Sequence, residues 1–156
     1  FAREAYFAVT AFAFTNAAGE TKHGRFRFHP EGGSEHLSDA EAAARGSEFL
    51  FDEIKARLAK GPVHFGVSVQ LAGPGDDPAN ASLPWPAGRE EIPCGELTLT
   101  EVVDDQVPDR RRAIFDPDPR IDGVADAGDP LTALRADVYL LAGRRRREAL
   151  GDQTRR

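Results

Sequence analysis

Asp129-Pro-Leu-Thr-Ala-Leu-Arg-Ala-Asp-Val-Tyr139 reads as the opening of the last helix, and it sets the terms for everything before it. Asp129 suits an N-cap, and Pro130 suits the first helical position, where a missing N–H costs nothing. Leu131, Leu134, Val138 and Leu141 recur at spacings of three and four and form one apolar stripe. Arg135 and Tyr139 stand four apart, which puts a guanidinium and a phenol on a common face. Ala142 and Arg146 extend that face toward the Arg144–Arg147 cluster. A positive charge beside a phenol favours its ionised form, and phenolate oxygen is a hard anionic ligand suited to ferric iron. The plainer alternative is a half-buried helix tyrosine whose hydroxyl meets a polar neighbour. From the Arg-x-x-x-Tyr spacing alone, that alternative is favoured.

The surroundings of the pair carry more. Phe115-Asp-Pro through Ile121-Asp-Gly, then Asp129-Pro-Leu-x-x-x-Arg135-x-x-x-Tyr139 and Arg145-Arg146, resembles the proximal haem segment of the catalase superfamily. It is most similar to the small catalase-related peroxidases of that superfamily. The resemblance implies that Tyr139 ligates haem iron and that Arg135, one turn earlier, donates to its oxygen. It further implies that Arg146 approaches a haem propionate and that Leu131 packs on the haem face. The cofactor so implied is haem b, with Tyr139 as its metal ligand, and Arg135 and Tyr139 are the catalytic pair.

Farther from the helix, Ala5–Thr15 (AYFAVTAFAFT) is an almost continuous apolar run and is expected to be a strand covered on both faces. Asn16-Ala-Ala-Gly19 makes the turn, and Thr21–His29 alternates, with Phe26 and Phe28 opposite Arg25, Arg27 and His29. The pattern Tyr6-Phe-x-x-x-Ala-Phe12-x-Phe14-x-Asn16-Ala-x-Gly19, then Arg25-Phe-Arg27, carries the resemblance back to the first residues. Ser38-Asp-Ala-Glu41 is a capping box that starts a short helix. Phe49, Leu50, Ile54 and Leu58 continue as a second helix, which ends near Gly61. Val63–Ala72 alternates cleanly, with Val63, Phe65, Val67, Val69 and Leu71 inward and His64, Ser68 and Gln70 on the other face. A Gly- and Pro-rich loop carrying Asp77-Pro78 and Trp85-Pro86, both matched in the family, leads to a last strand at Gly95–Val103. From Asp104 to Asp129 the sequence reads as irregular.

Composition frames this. At 156 residues, with 40% hydrophobic and 29% charged residues, the chain is sized for one globular domain spanning 1–156. No apolar run approaches the roughly 20 residues of a membrane span. No leader is legible from Phe1 and the chain has no Met, so it is expected to have been processed, trimmed or cut out of something longer. The reading is of a soluble protein, cytoplasmic or periplasmic. A net charge of −6 argues against a nucleic-acid partner, although arginines cluster at 110–112, 144–147 and 155–156. Cys94 stands alone, so no disulfide forms within the chain, and a resting structural thiol is expected. His23, His29, His36 and His64 stand in no catalytic or metal-binding motif and take no role.

The fold class is therefore α+β. The resemblance implies the second half, about four strands, of a catalase-like antiparallel β-barrel, with flanking helices and a C-terminal proximal haem helix. The function it implies is a haem-dependent peroxidase or catalase-like oxidoreductase, serving the response to oxidative stress. Its partners would be haem, hydrogen peroxide or an organic peroxide, and a small-molecule electron donor, in a homo-oligomer. The distal histidine and asparagine of the family belong to the half that precedes these residues, so the isolated chain is expected to be weak or inactive. Two family positions differ: Thr10 stands where catalases have a histidine near the proximal arginine, and Ala142 stands where the family has Thr or Ser. A different class of function is a non-catalytic protein that holds haem or another apolar ligand. The Phe-rich strands serve both readings, since aromatics at strand spacing are usually core.

Overall fold

The structure, a computed structural model, describes residues 1–103, 113–119 and 121–153. The arginine clusters at 110–112 and 155–156 lie outside the described residues. The chain divides into two compact units. The first comprises Phe1–Ala8, Arg25–Leu71 and Arg89–Val103, and the second comprises Val9–Gly24, Ala72–Gly88 and the C-terminal segment.

In the first unit, β1 (Tyr6–Phe7) and β4 (Val63–Leu71) both pair with β3 (Thr21–Pro30), and β5 (Glu91–Leu99) pairs with β4. Between the strands run α1 (Asp39–Ala43) and α2 (Phe49–Leu58). The capping box at Ser38 forms as expected: its hydroxyl accepts from the Glu41 N–H, and the Glu41 carboxylate accepts from the Ser38 N–H. The core gathers around Ala2, Val63 and Phe65, with Phe28, Ile54, Leu58 and Leu99 packed against it. Burying a side chain the size of Phe65 contributes roughly 1.5–3 kcal/mol. The sheet also walls an apolar cavity of about 300 Å³ at Phe28, Phe65, Leu97 and Leu99.

β4 departs from simple alternation. Val63, Phe65, Val69 and Leu71 are buried as expected, but so are Ser68 and Gln70 on the opposite face. Those two are satisfied by neighbours: Ser68 donates to Glu91, and Gln70 accepts from Arg27. β5 begins four residues before the expected Gly95. Val67 pairs with Gly95 and Ser68 with Pro93, so Cys94 is the extra residue of a bulge. A bulge is where a strand tolerates proline, and Pro93-Cys-Gly95 therefore reads as a turn while acting as strand. The Cys94 thiol is exposed, yet local desolvation raises its pKa, as befits a resting thiol.

In the second unit, β2 (Phe12–Thr15) pairs with Thr21–Gly24 of β3 on one side and with β6 (Val124–Asp126) on the other. Buried Ala11 and Trp85 supply its apolar interior. The expected strand Ala5–Thr15 is thus two strands. Phe7 pairs with Arg27 and Phe12 with Gly24, so the first arm uses five residues where β3 uses three. The two surplus residues break the ladder. Nor is the run covered on both faces: Tyr6 and Phe7 are exposed and Phe12 and Phe14 only half-buried. β6 falls in a stretch read as irregular, being too short to show a period. Gly123 starts it at φ +81, where a Cβ would lie 3.0 Å from the Thr15 carbonyl oxygen.

The described strands form an open antiparallel sheet, not a closed barrel, and number six instead of about four. Closure of an eight-stranded barrel needs more strands than this chain contributes.

Candidate functional site

Three residues separate β6 from the last helix, α3 (Pro130–Gln153), so the β2–β6 pairing fixes where it begins. Asp129 caps it: the buried carboxylate accepts from the Leu131 N–H at 2.9 Å, and the Asp129 carbonyl accepts from Thr132. The helix continues through the arginine cluster at 144–147, whose side chains are exposed.

Arg135 and Tyr139 lie one turn apart on α3, as the spacing requires. Tyr139 is half-buried, and its hydroxyl makes no hydrogen bond to a described residue. The Arg135 guanidinium donates to the Thr10 hydroxyl at 3.5 Å. Thr10, noted in the sequence only as a departure from the family, is thus the group that positions Arg135. Arg146 donates to the Ala113 carbonyl at 2.8 Å.

The apolar stripe is not core. Leu131 is 50% exposed, Leu134 58%, Val138 55% and Leu141 56%. Four aliphatic side chains left open along three turns are apolar surface that an apolar ligand would cover. The donor set fits an iron porphyrin in kind: a phenol oxygen, adjoining guanidinium groups and an aliphatic wall. Among the described residues, no three His, Cys, Asp or Glu side chains gather as an alternative metal site.

Gly143, absent from the sequence-derived candidates, holds this arrangement together. It is buried, and a Cβ there would lie 2.5 Å from Ile114 Cγ1. With Arg146 on Ala113, it clamps the 113–114 segment against the helix one turn past Tyr139. A glycine inside a helix costs about 1 kcal/mol against alanine, and that cost was the available sign of a close approach.

The histidines form pairs rather than a catalytic set. His29 meets Glu91 at 2.6 Å, His64 meets Glu96 at 2.5 Å, and His36 meets Glu4 at 3.4 Å. The Ser68 hydrogen bond, and after it that of His29, holds the Glu91 carboxyl below its usual range against an opposing burial effect. Hydrogen bonds from His64 and Thr98 do the same for Glu96. Among the described residues, no helix is long and apolar enough to cross a membrane.

This fold is catalase-like. A fungal catalase superposes with a TM-score of 0.79 over 94% of this chain and 31% of its own, at 16% identity. A bacterial catalase gives 0.79 over 93% and 30%, at 20% identity, and catalase A of Saccharomyces cerevisiae gives 0.80 over 94% and 32%, at 17%. In sequence, the chain is a relative of the catalase-related peroxidases over the C-terminal part of their length. It is 31% identical over 150 residues to the catalase-related peroxidase of Synechococcus elongatus, covering 96% of this chain. It is 32% identical over 145 residues to that of Mycolicibacterium paratuberculosis, covering 89% of this chain. The chain spans 44% of the length of each of these two relatives. No family model matches it.

Proposed function

We propose that the chain forms the proximal side of a haem site in a peroxide-reducing oxidoreductase, with Tyr139 as the iron ligand. The observation carrying this reading is half-buried Tyr139, its hydroxyl without a hydrogen bond to any described residue, on the helix whose leucine and valine stripe stands open. A solvent-accessible phenol with no protein partner among the described residues is free to take a ligand, and the aliphatic wall gains from covering. Leu131 would pack on the ring, Arg135 would face the phenol oxygen, and Arg146 would turn to a carboxylate substituent. Such a move exchanges the Arg135–Thr10 and Arg146–Ala113 hydrogen bonds for charge-assisted ones.

The haem, when bound, supplies the electron transfer by which hydrogen peroxide or an organic peroxide is reduced and a small donor oxidised. This chain's own part is to hold the iron from one side and to keep positive charge near its ligand oxygen. Moving the proton between the peroxide oxygens needs a general acid/base on the opposite side. The four histidines stand in no motif for that role, and His29, His36 and His64 each meet a glutamate. The chain alone is therefore expected to bind haem and turn over peroxide weakly or not at all.

The test is a haem-reconstitution spectrum of the chain and of Tyr139→Phe at neutral pH. A ferric phenolate-type spectrum that disappears in the variant supports the assignment. Equal spectra from both proteins, or no haem uptake by either, overturn Tyr139 as the ligand in this chain.

A further inference from the structure

The first unit contains a second cavity, of about 600 Å³, that lies apart in sequence from the last helix. That volume is within the roughly 300–1,000 Å³ typical of small-molecule sites. Its apolar wall comes from Phe1 and Tyr6 of the N-terminal segment, Leu37, and Phe49 and Leu50 at the start of α2. Leu37 and Leu50 are 39% and 38% exposed, so apolar surface faces the opening.

The charges around it are unequal in their pairing. Glu35 is met by Arg3 at 3.5 Å and Glu53 by Arg57 at 2.5 Å. Glu4 is met by His36 at 3.4 Å and also accepts from the Ala5 N–H at 3.1 Å. That leaves Arg45. Among the described residues, no carboxylate lies within ion-pair distance of it, and its guanidinium sits over the Phe49 ring at 6.0 Å from the centroid. Glu41, one turn earlier, feels its charge but is occupied by the Ser38 capping box. The lining therefore joins one guanidinium that makes no direct ion pair, Glu41 acting on it only at longer range, to an aromatic and aliphatic wall.

We propose that this cavity binds a free, single-chain carboxylate amphiphile, a fatty acid, with its headgroup on Arg45 and its alkyl chain against Phe49, Leu50 and Leu37. The match is one of charge and shape together. A single monoanionic head answers the one lining cation that makes no direct ion pair through a charge-assisted hydrogen bond, and the tail covers the apolar wall. A cationic or neutral amphiphile gains only the second part. The site belongs to the first unit and does not depend on haem binding by the second.

The experiment is calorimetric titration of the full chain with dodecanoate below its micellar range, and with hexanoate and dodecyltrimethylammonium for comparison. Dodecanoate is expected to bind, and affinity to rise two- to fourfold per methylene from hexanoate upward. Arg45→Gln is expected to weaken dodecanoate about tenfold and to leave dodecyltrimethylammonium unchanged. Leu50→Gln is expected to weaken dodecanoate more than hexanoate. Arg45 is exposed, so far-UV circular dichroism should confirm an intact fold in its variant. Absence of dodecanoate binding, equal affinity in Arg45→Gln, or equal binding of the cationic amphiphile overturns the proposal.

Discussion

Replacing Gly143 by alanine tests the close packing that fixes the segment beside Tyr139. The new Cβ would stand 2.5 Å from Ile114 Cγ1 and 2.9 Å from its Cδ1, nearer than carbon atoms approach without a shift. Overpacking of this kind costs about 1–3 kcal/mol. The same substitution improves helix propensity by about 1 kcal/mol, since alanine suits a helix interior far better than glycine. The two oppose, leaving a net loss of roughly 0–2 kcal/mol. At 2–4 °C per kcal/mol for a protein of this length, that is a Tm lowered by as much as about 8 °C. The sharper assay is a double-mutant cycle with Ile114→Ala, read by urea unfolding. Shortening Ile114 removes the clash while alanine 143 keeps its propensity gain, so the coupling should reach about 1–3 kcal/mol. Coupling below about 0.5 kcal/mol, with Gly143→Ala alone raising stability, would refute the close approach.

Two further predictions concern the frame around the sites. Glu91 accepts from Ser68 and His29, and its folded-state pKa is depressed. A depressed carboxyl contributes stability above its unfolded value, about 4.3, and loses it as pH falls through the lower folded value. Glu91→Gln should therefore be less stable than the parent at pH 7, with the gap closing at pH 3; a gap that holds constant in urea midpoints contradicts this. Asp129→Ala removes a buried N-cap and should cost about 1–2 kcal/mol, with Asp129→Asn retaining most of it; an unchanged Tm for the alanine variant would remove the cap from the account.

Much of this was open to inspection before any coordinates. The Ser38 capping box, the helix over Phe49–Leu58 and the strand over Val63–Leu71 are local signals, set by residues a few positions apart, and these elements formed as read, although Ser68 and Gln70 are buried against the expected alternation. The Asp129 cap placed the start of α3, and the resemblance carried by Asp129-Pro-Leu and Arg135-x-x-x-Tyr139 matches the relatives found. Less was legible where distant partners decide. Ala5–Thr15 looks like one strand because hydrophobicity is continuous through it, but the register of β3 admits it only in two pieces. Pro93-Cys-Gly95 looks like a turn because its meaning as a bulge exists only opposite Val67 and Ser68.

Near neighbours along the chain dictate the helices, the Ser38 and Asp129 caps and the one-turn spacing of Arg135 and Tyr139, so these are readable from residue order alone. The partners of the guanidinium groups, by contrast, come from residues far away in the chain. Arg135 turns to Thr10 and Arg146 to Ala113, across separations of 125 and 33 residues. The tertiary structure alone showed that the stripe from Leu131 to Leu141 stays exposed and that Gly143 admits Ile114. Burial and close approach are properties of what lies across from a residue, and a periodic pattern names the face without naming its neighbour.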